Sequence, residues 1–79
     1  MIGKKATNYW GEKGTIIDAA PWPEAITKLR RYDNSGWMSE NSEYDLELDP
    51  TDIIVAFKPD DEDQSVDVYV YGPGGVELI

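Results

Sequence analysis

From Glu43 onward the apolar residues stop recurring at helical intervals and begin to alternate, a change of period that commits the second half of the chain to strands. In SEYDLELD (42–49), Tyr44, Leu46 and Leu48 fall on one side, and Glu43, Asp45, Glu47 and Asp49 on the other. A sheet with one buried face has this pattern. Asp49-Pro50-Thr51-Asp52 then places Asp first and Pro second, the chemistry of a type I turn. Ile53 to Lys58 is an almost unbroken apolar run, which suits a central strand. The loop Pro59 to Gln64 carries four successive carboxylates: Asp60, Asp61, Glu62 and Asp63. Beyond it Val66, Val68 and Val70 alternate with Asp67, Tyr69 and Tyr71. Gly72-Pro73-Gly74-Gly75 reads as a turn, and Val76 to Ile79 as a short final strand.

Upstream, PWPEAITKLRRYDNSG (21–36) predicts a helix of about ten residues. Pro23 suits its first position, because no N–H is needed there and its φ is already helical. Glu24 near the start and Lys28, Arg30 and Arg31 near the end complement the helix dipole. Trp22, Ile26 and Leu29 would form its buried stripe. Gly14 to Asp18 is read as a short strand. Neighbouring strands joined by tight turns pair antiparallel. The expected fold is a single α+β domain spanning residues 1–79, a four-stranded antiparallel meander of residues 43–79 with one short helix packed on one face. Trp22, Ile26 and Leu29 would meet Leu46, Leu48, Val66, Val68 and Val70. Trp10, Trp22 and Trp37 are assigned to the core or its margin.

The residues that are missing narrow the function. The chain contains no cysteine and no histidine, so it lacks disulfides, thiolate metal sites, the commonest general base and the commonest transition-metal ligand. No phosphate-cradling glycine motif and no nucleophile elbow occurs. The acids of Asp60–Asp63 are contiguous, whereas a calcium loop needs them at alternate positions with a central glycine. A chain of 79 residues also leaves little room for a sugar cleft between two catalytic carboxylates. The expectation is a protein that is not an enzyme and takes no cofactor and no metal. The opening residues lack the apolar run of a signal peptide and no segment is long enough to span a bilayer, so no membrane partner is expected and a cytoplasmic location is.

Charge is the most informative remaining property. The net charge is −9, but it is unevenly placed. Residues 1–32 hold six Lys/Arg against three acids, and residues 33–79 hold Lys58 alone against thirteen. Such a molecule has a directed field, which attracts a basic partner and opposes direct binding of nucleic acid.

Three groups of residues are candidates for the contact. Glu43, Asp45, Glu47 and Asp49 would stand about 6.6 Å apart on one strand face, close to the separation of successive phosphates on a nucleic-acid strand. The same row also fits a plain solvated face. Asp60, Asp61, Glu62 and Asp63 would crown a hairpin tip, as a docking element or as charges that keep the strand edges from pairing with other chains. Asp67, Tyr69 and Tyr71 would share the outward face with the acidic row. Their rings could stack on guanidinium groups or simply cover the sheet.

In size, acidity and the rows SEYDLELD and PDDED, the chain resembles the small phage-encoded DNA-mimic proteins that block host defence nucleases, anti-CRISPR proteins among them. The resemblance is one of class and composition and spans residues 43–71. It implies an inhibitory binding protein whose acidic sheet face occupies a basic nucleic-acid-binding groove, with a nuclease or CRISPR effector complex as partner and carboxylates in the role of phosphates. The basic first part of the chain departs from an all-round mimic and points to a one-faced docking surface. The alternative is a protein–protein module without mimicry, such as an immunity protein or a small assembly subunit. A third reading makes the acidity a matter of solubility alone.

Overall fold

The computed structural model describes residues 1–38 and 48–79. Its described residues form a small, sheet-dominated domain whose sheet has five antiparallel strands, where a four-stranded sheet was expected, together with short helical turns. The strands are β1 (Lys5–Thr7), β2 (Lys13–Pro21), β3 (Ile53–Pro59), β4 (Asp67–Val70) and β5 (Glu77–Leu78), and they lie in the order β4-β3-β2-β1-β5. The expected short strand at Gly14–Asp18 is therefore the nine-residue β2, and it fills the flank of β3 opposite β4. β3 therefore has β2 on one flank and β4 on the other, whereas the expected meander set a strand at 43–49 beside it. Residues 39–47, and with them Glu43, Asp45 and Glu47, lie outside the described residues.

The last strand also departs from expectation. Val76 to Ile79 does not extend the sheet beyond β4. The Gly72–Gly75 turn carries it to the opposite edge, where β5 pairs with β1. Val76 accepts from the Gly72 N–H and donates to the Val70 carbonyl, in a parallel bridge between Tyr71 and Val76. The two edges of the sheet thus meet at one corner, and the sheet curls. Gly75 makes the corner possible, because a methyl at that position would run into the Val70 carbonyl.

β3 explains the layering. Its residues are apolar on both sides, so both sides must be covered. Ile54 and Ala56, with Ala20 and Val68, face a cluster closed by Ala25, Leu29 and Met38. Val55 and Phe57 face a second cluster inside the curl with Ala6, Ile16 and Val76. Ile16 enters the inner cluster and Ile17 packs against the outer one by ordinary alternation, and a bulge between Ile16 and Asp18 shifts the phase so that Ala20 falls in the outer cluster with Ile54.

The helix α1 (Ala25–Lys28) is one turn, followed by a 3-10 turn at Arg30–Tyr32. It is shorter than expected because Leu29, at φ −109° and ψ 11°, leaves the helical region while staying fully buried. The helix begins at Ala25 with Glu24 as its N-cap, so Pro23 is not its first residue. The buried positions of this segment are Ala25 in the helix and Leu29 just after it, with Ile26 only half-buried. The face they cover is the expected one, with Leu48, Val66, Val68 and Val70 packed there. Trp22 and Trp37 stack in this layer with centroids 6.4 Å apart, and the Trp37 indole donates to the Val68 carbonyl at 2.8 Å. No helix among the described residues is long and apolar enough to cross a membrane.

Candidate functional site

β2 starts where β3 ends, and this register gathers two turns at one end of the sheet. Gly14 pairs with Pro59, and the Asp60 N–H continues the ladder by donating to the Lys13 carbonyl at 2.9 Å. The turn after β3, with Asp60, Asp61, Glu62 and Asp63, therefore lies beside the turn before β2, with Tyr9 and Trp10. Gly14 makes the join tight, since a methyl there would collide with the Lys58 carbonyl, the Phe57 ring and the Pro59 backbone.

The acidic turn is shaped by its own residues. The Asp61 carboxylate accepts from the Asp63 N–H at 2.9 Å, and the Asp61 carbonyl from the Gln64 N–H at 3.1 Å. This is Asx-turn chemistry. Asp60 meets Lys5 at 2.9 Å, with both side chains more than half exposed, so the pair contributes little stability and only part of the charge is offset. Glu62 and Asp63 are exposed, and their carboxylates make no hydrogen bond or ion pair among the described residues. Beneath the turn lies an open cleft of 490 Å³, bounded by Thr15, Lys58, Pro59 and Gln64 together with the acids. No group of three potential metal ligands occurs among the described residues.

The aromatic turn is organised by Asn8, the buried polar residue of the described core. Its side-chain oxygen accepts from the N–H groups of Trp10 and Glu12, at 3.1 and 2.9 Å, while its amide donates to the Glu12 carboxylate at 2.8 Å. Gly11, at φ +81°, closes the turn in a conformation that side chains disfavour. With Asn8 occupying the inside, the Tyr9 and Trp10 rings point out and pack edge to face at 5.3 Å. They remain 67% and 74% exposed. Trp10 is thus not the core residue that the sequence suggested. The signal was present in NYWG, where two large rings sit between turn-forming Asn and Gly and have no inward path.

Tyr69 and Tyr71 do point away from the valines, but that side is the inner layer and not a solvent face. Tyr69 packs edge to face on Phe57 at 5.9 Å, and Tyr69 and Tyr71 are half-buried against the inner cluster. They cover the sheet. Burial pushes the Tyr69 phenol up, and the charges of Asp67 and Glu12 add to the shift against a hydrogen bond with Asn8. The influence of Asn8 and Glu12 on Tyr69 reflects how close the curl brings β4 to the aromatic turn. Asp67 also accepts from the Ser35 hydroxyl at 3.2 Å.

Asp49 lies at the opposite end of β3, about 20 Å away at the usual rise over its seven residues. Its carboxylate accepts from the Thr51 N–H at 3.0 Å and from the Thr51 hydroxyl, which holds its pKa below the ordinary value. Among the candidate carboxylates, the structure groups Asp60–Asp63 with Glu12 and, one step down β4, Asp67. It does not bring Asp49 to them. Lys5, Lys13 and Lys58 are the cations at this end. No family model matches the chain, and neither a curated protein nor a solved structure does.

Proposed function

We propose that the protein is an inhibitory binding protein that docks on a basic, nucleic-acid-binding groove of another protein, in the manner of the DNA-mimic and anti-CRISPR class, and thereby keeps nucleic acid out. The observation that supports this reading is the exposed acidic turn Asp60–Asp63, whose charge is offset by one solvent-exposed lysine contact and which stands next to Glu12 at the same end of the sheet. A groove lined with Lys and Arg repels itself when empty, and a rigid anionic body relieves that repulsion with fast, salt-sensitive association. The contact surface is the end of the sheet and not its face, because the inner face is filled and the outer one carries the helix. The Tyr9–Trp10 pair favours a second reading, docking without mimicry, since exposed aromatic residues are typical anchors of protein–protein contacts.

Capture from a host lysate at low salt, followed by oligonucleotide competition, separates the two. Release of a captured basic protein by oligonucleotide is expected. Retention at saturating oligonucleotide would exclude the decoy and leave simple docking, and the lack of any salt-sensitive capture would exclude both.

A further inference from the structure

The turn that carries Tyr9 and Trp10 is built to hold its rings in solvent. Its inside is occupied by the Asn8 side chain, and its backbone is closed by the Asn8–Glu12 pair at 3.0 Å and the Gly11–Asn8 hydrogen bond at 3.0 Å. Single exposed aromatic residues need no explanation, but two adjacent ones on an ordered turn form an apolar projection that the fold does not use. Rings that already pack on each other have less freedom to lose when something stacks on them.

We propose that Tyr9 and Trp10 are the anchor of the docking surface and that they bind an arginine side chain of the partner protein, its guanidinium lying on an aromatic face while the neighbouring carboxylates hold its charge. The inference rests on the charge-based reading above and narrows it to guanidinium. The faces of both rings carry negative potential, and a planar, weakly hydrated guanidinium can stack on a ring and still pair with a carboxylate. The compact, strongly hydrated ammonium of lysine gains less from the same surface. Glu12 is two residues from Trp10, and the Asp60–Asp63 turn stands alongside. Lys13 lies at the base of the same turn and is exposed, while Lys5 is engaged by Asp60. An apolar pocket on the partner would also accept the rings, but it would strip water from these carboxylates with no compensation. A nucleobase would bring its phosphates against them.

Titration calorimetry of the whole protein with oligoarginine and oligolysine peptides of equal length, at low salt, tests this. Oligoarginine is expected to bind about two- to five-fold more tightly than oligolysine. The Tyr9→Ala/Trp10→Ala variant should lose that margin and keep its affinity for oligolysine. If the double variant no longer melts cooperatively, Trp10→Gln alone reads the same margin through the more exposed ring. A wild-type protein that does not distinguish the peptides, or a margin that survives loss of the rings, overturns the arginine anchor and leaves the charge-based reading standing. Failure of both peptides to bind overturns the two together.

Discussion

The two acidic turns at either end of β3, Asp49-Pro50-Thr51-Asp52 and Asp60-Asp61-Glu62-Asp63, put their carboxylates to opposite uses. In the Asp49–Asp52 turn the carboxylates build the backbone: Asp49 holds the N–H and hydroxyl of Thr51, and Asp52 holds the Asp49 N–H at 2.9 Å. The Trp22 N–H closes on the Asp52 carbonyl at 2.9 Å, which ties this turn to the start of the helix. In the Asp60–Asp63 turn only Asp61 shapes the chain, Asp60 has an exposed lysine contact, and the other two acids are left to solvent. A run of carboxylates cannot be assigned from composition. What decides its use is whether local N–H and O–H groups occupy its oxygens.

Three variants sharpen that contrast, in order of expected effect. Gly14→Ala should do the most damage, because the added methyl meets backbone beneath the Asp60–Asp63 turn and cannot be relieved by a rotamer change. A loss of about 3 kcal/mol in urea unfolding is expected; a loss near zero would mean that the displayed end is loose. Asp49→Ala should lower the urea midpoint by less. Its carboxylate has a folded pKa below the ordinary 3.8, so its contribution is complete above that value and disappears as pH falls through the lower folded one. The gap between wild type and variant should therefore be full at neutral pH and close in acid.

Neutralising the other turn, with Asp60→Asn, Asp61→Asn, Glu62→Gln and Asp63→Asn together, should leave the midpoint unchanged or slightly higher, since neighbouring like charges repel and Asn can still cap the Asp63 N–H. A large loss there would erase the distinction between the turns. The alkaline side offers a smaller, separate check on the curl. The Tyr69 phenol is raised above its ordinary value of 10.0, so its contribution is complete below that value and is lost as pH rises through the folded one. Spectrophotometric titration should show one fewer late-ionising tyrosine in Tyr69→Phe.

The sequence carried the local elements further than their assembly. The β3–β4 hairpin, the acidic tip and the helix-covered valine face follow from alternation and turn chemistry, which act over a few residues. The place of β2 and β5 does not, because pairing with a distant strand leaves no local mark. The side assigned to Tyr69 was right, but its exposure was not, and the correction was legible in β3. A strand apolar at Val55 and Phe57 as well as at Ile54 and Ala56 needs two covered faces, so residues opposite the valines had to be packed. Of Glu43, Asp45, Glu47 and Asp49 only Asp49 lies among the described residues, and it is committed to its own turn.

The most direct measurement is the association rate with the captured partner as a function of salt, for wild type and for the neutralised Asp60–Asp63 variant. The wild-type rate is expected to fall steeply as salt rises, and the variant to associate at least about tenfold more slowly at low salt with a flatter dependence. Equal rates and equal salt slopes for the two proteins would show that this turn does not guide the encounter.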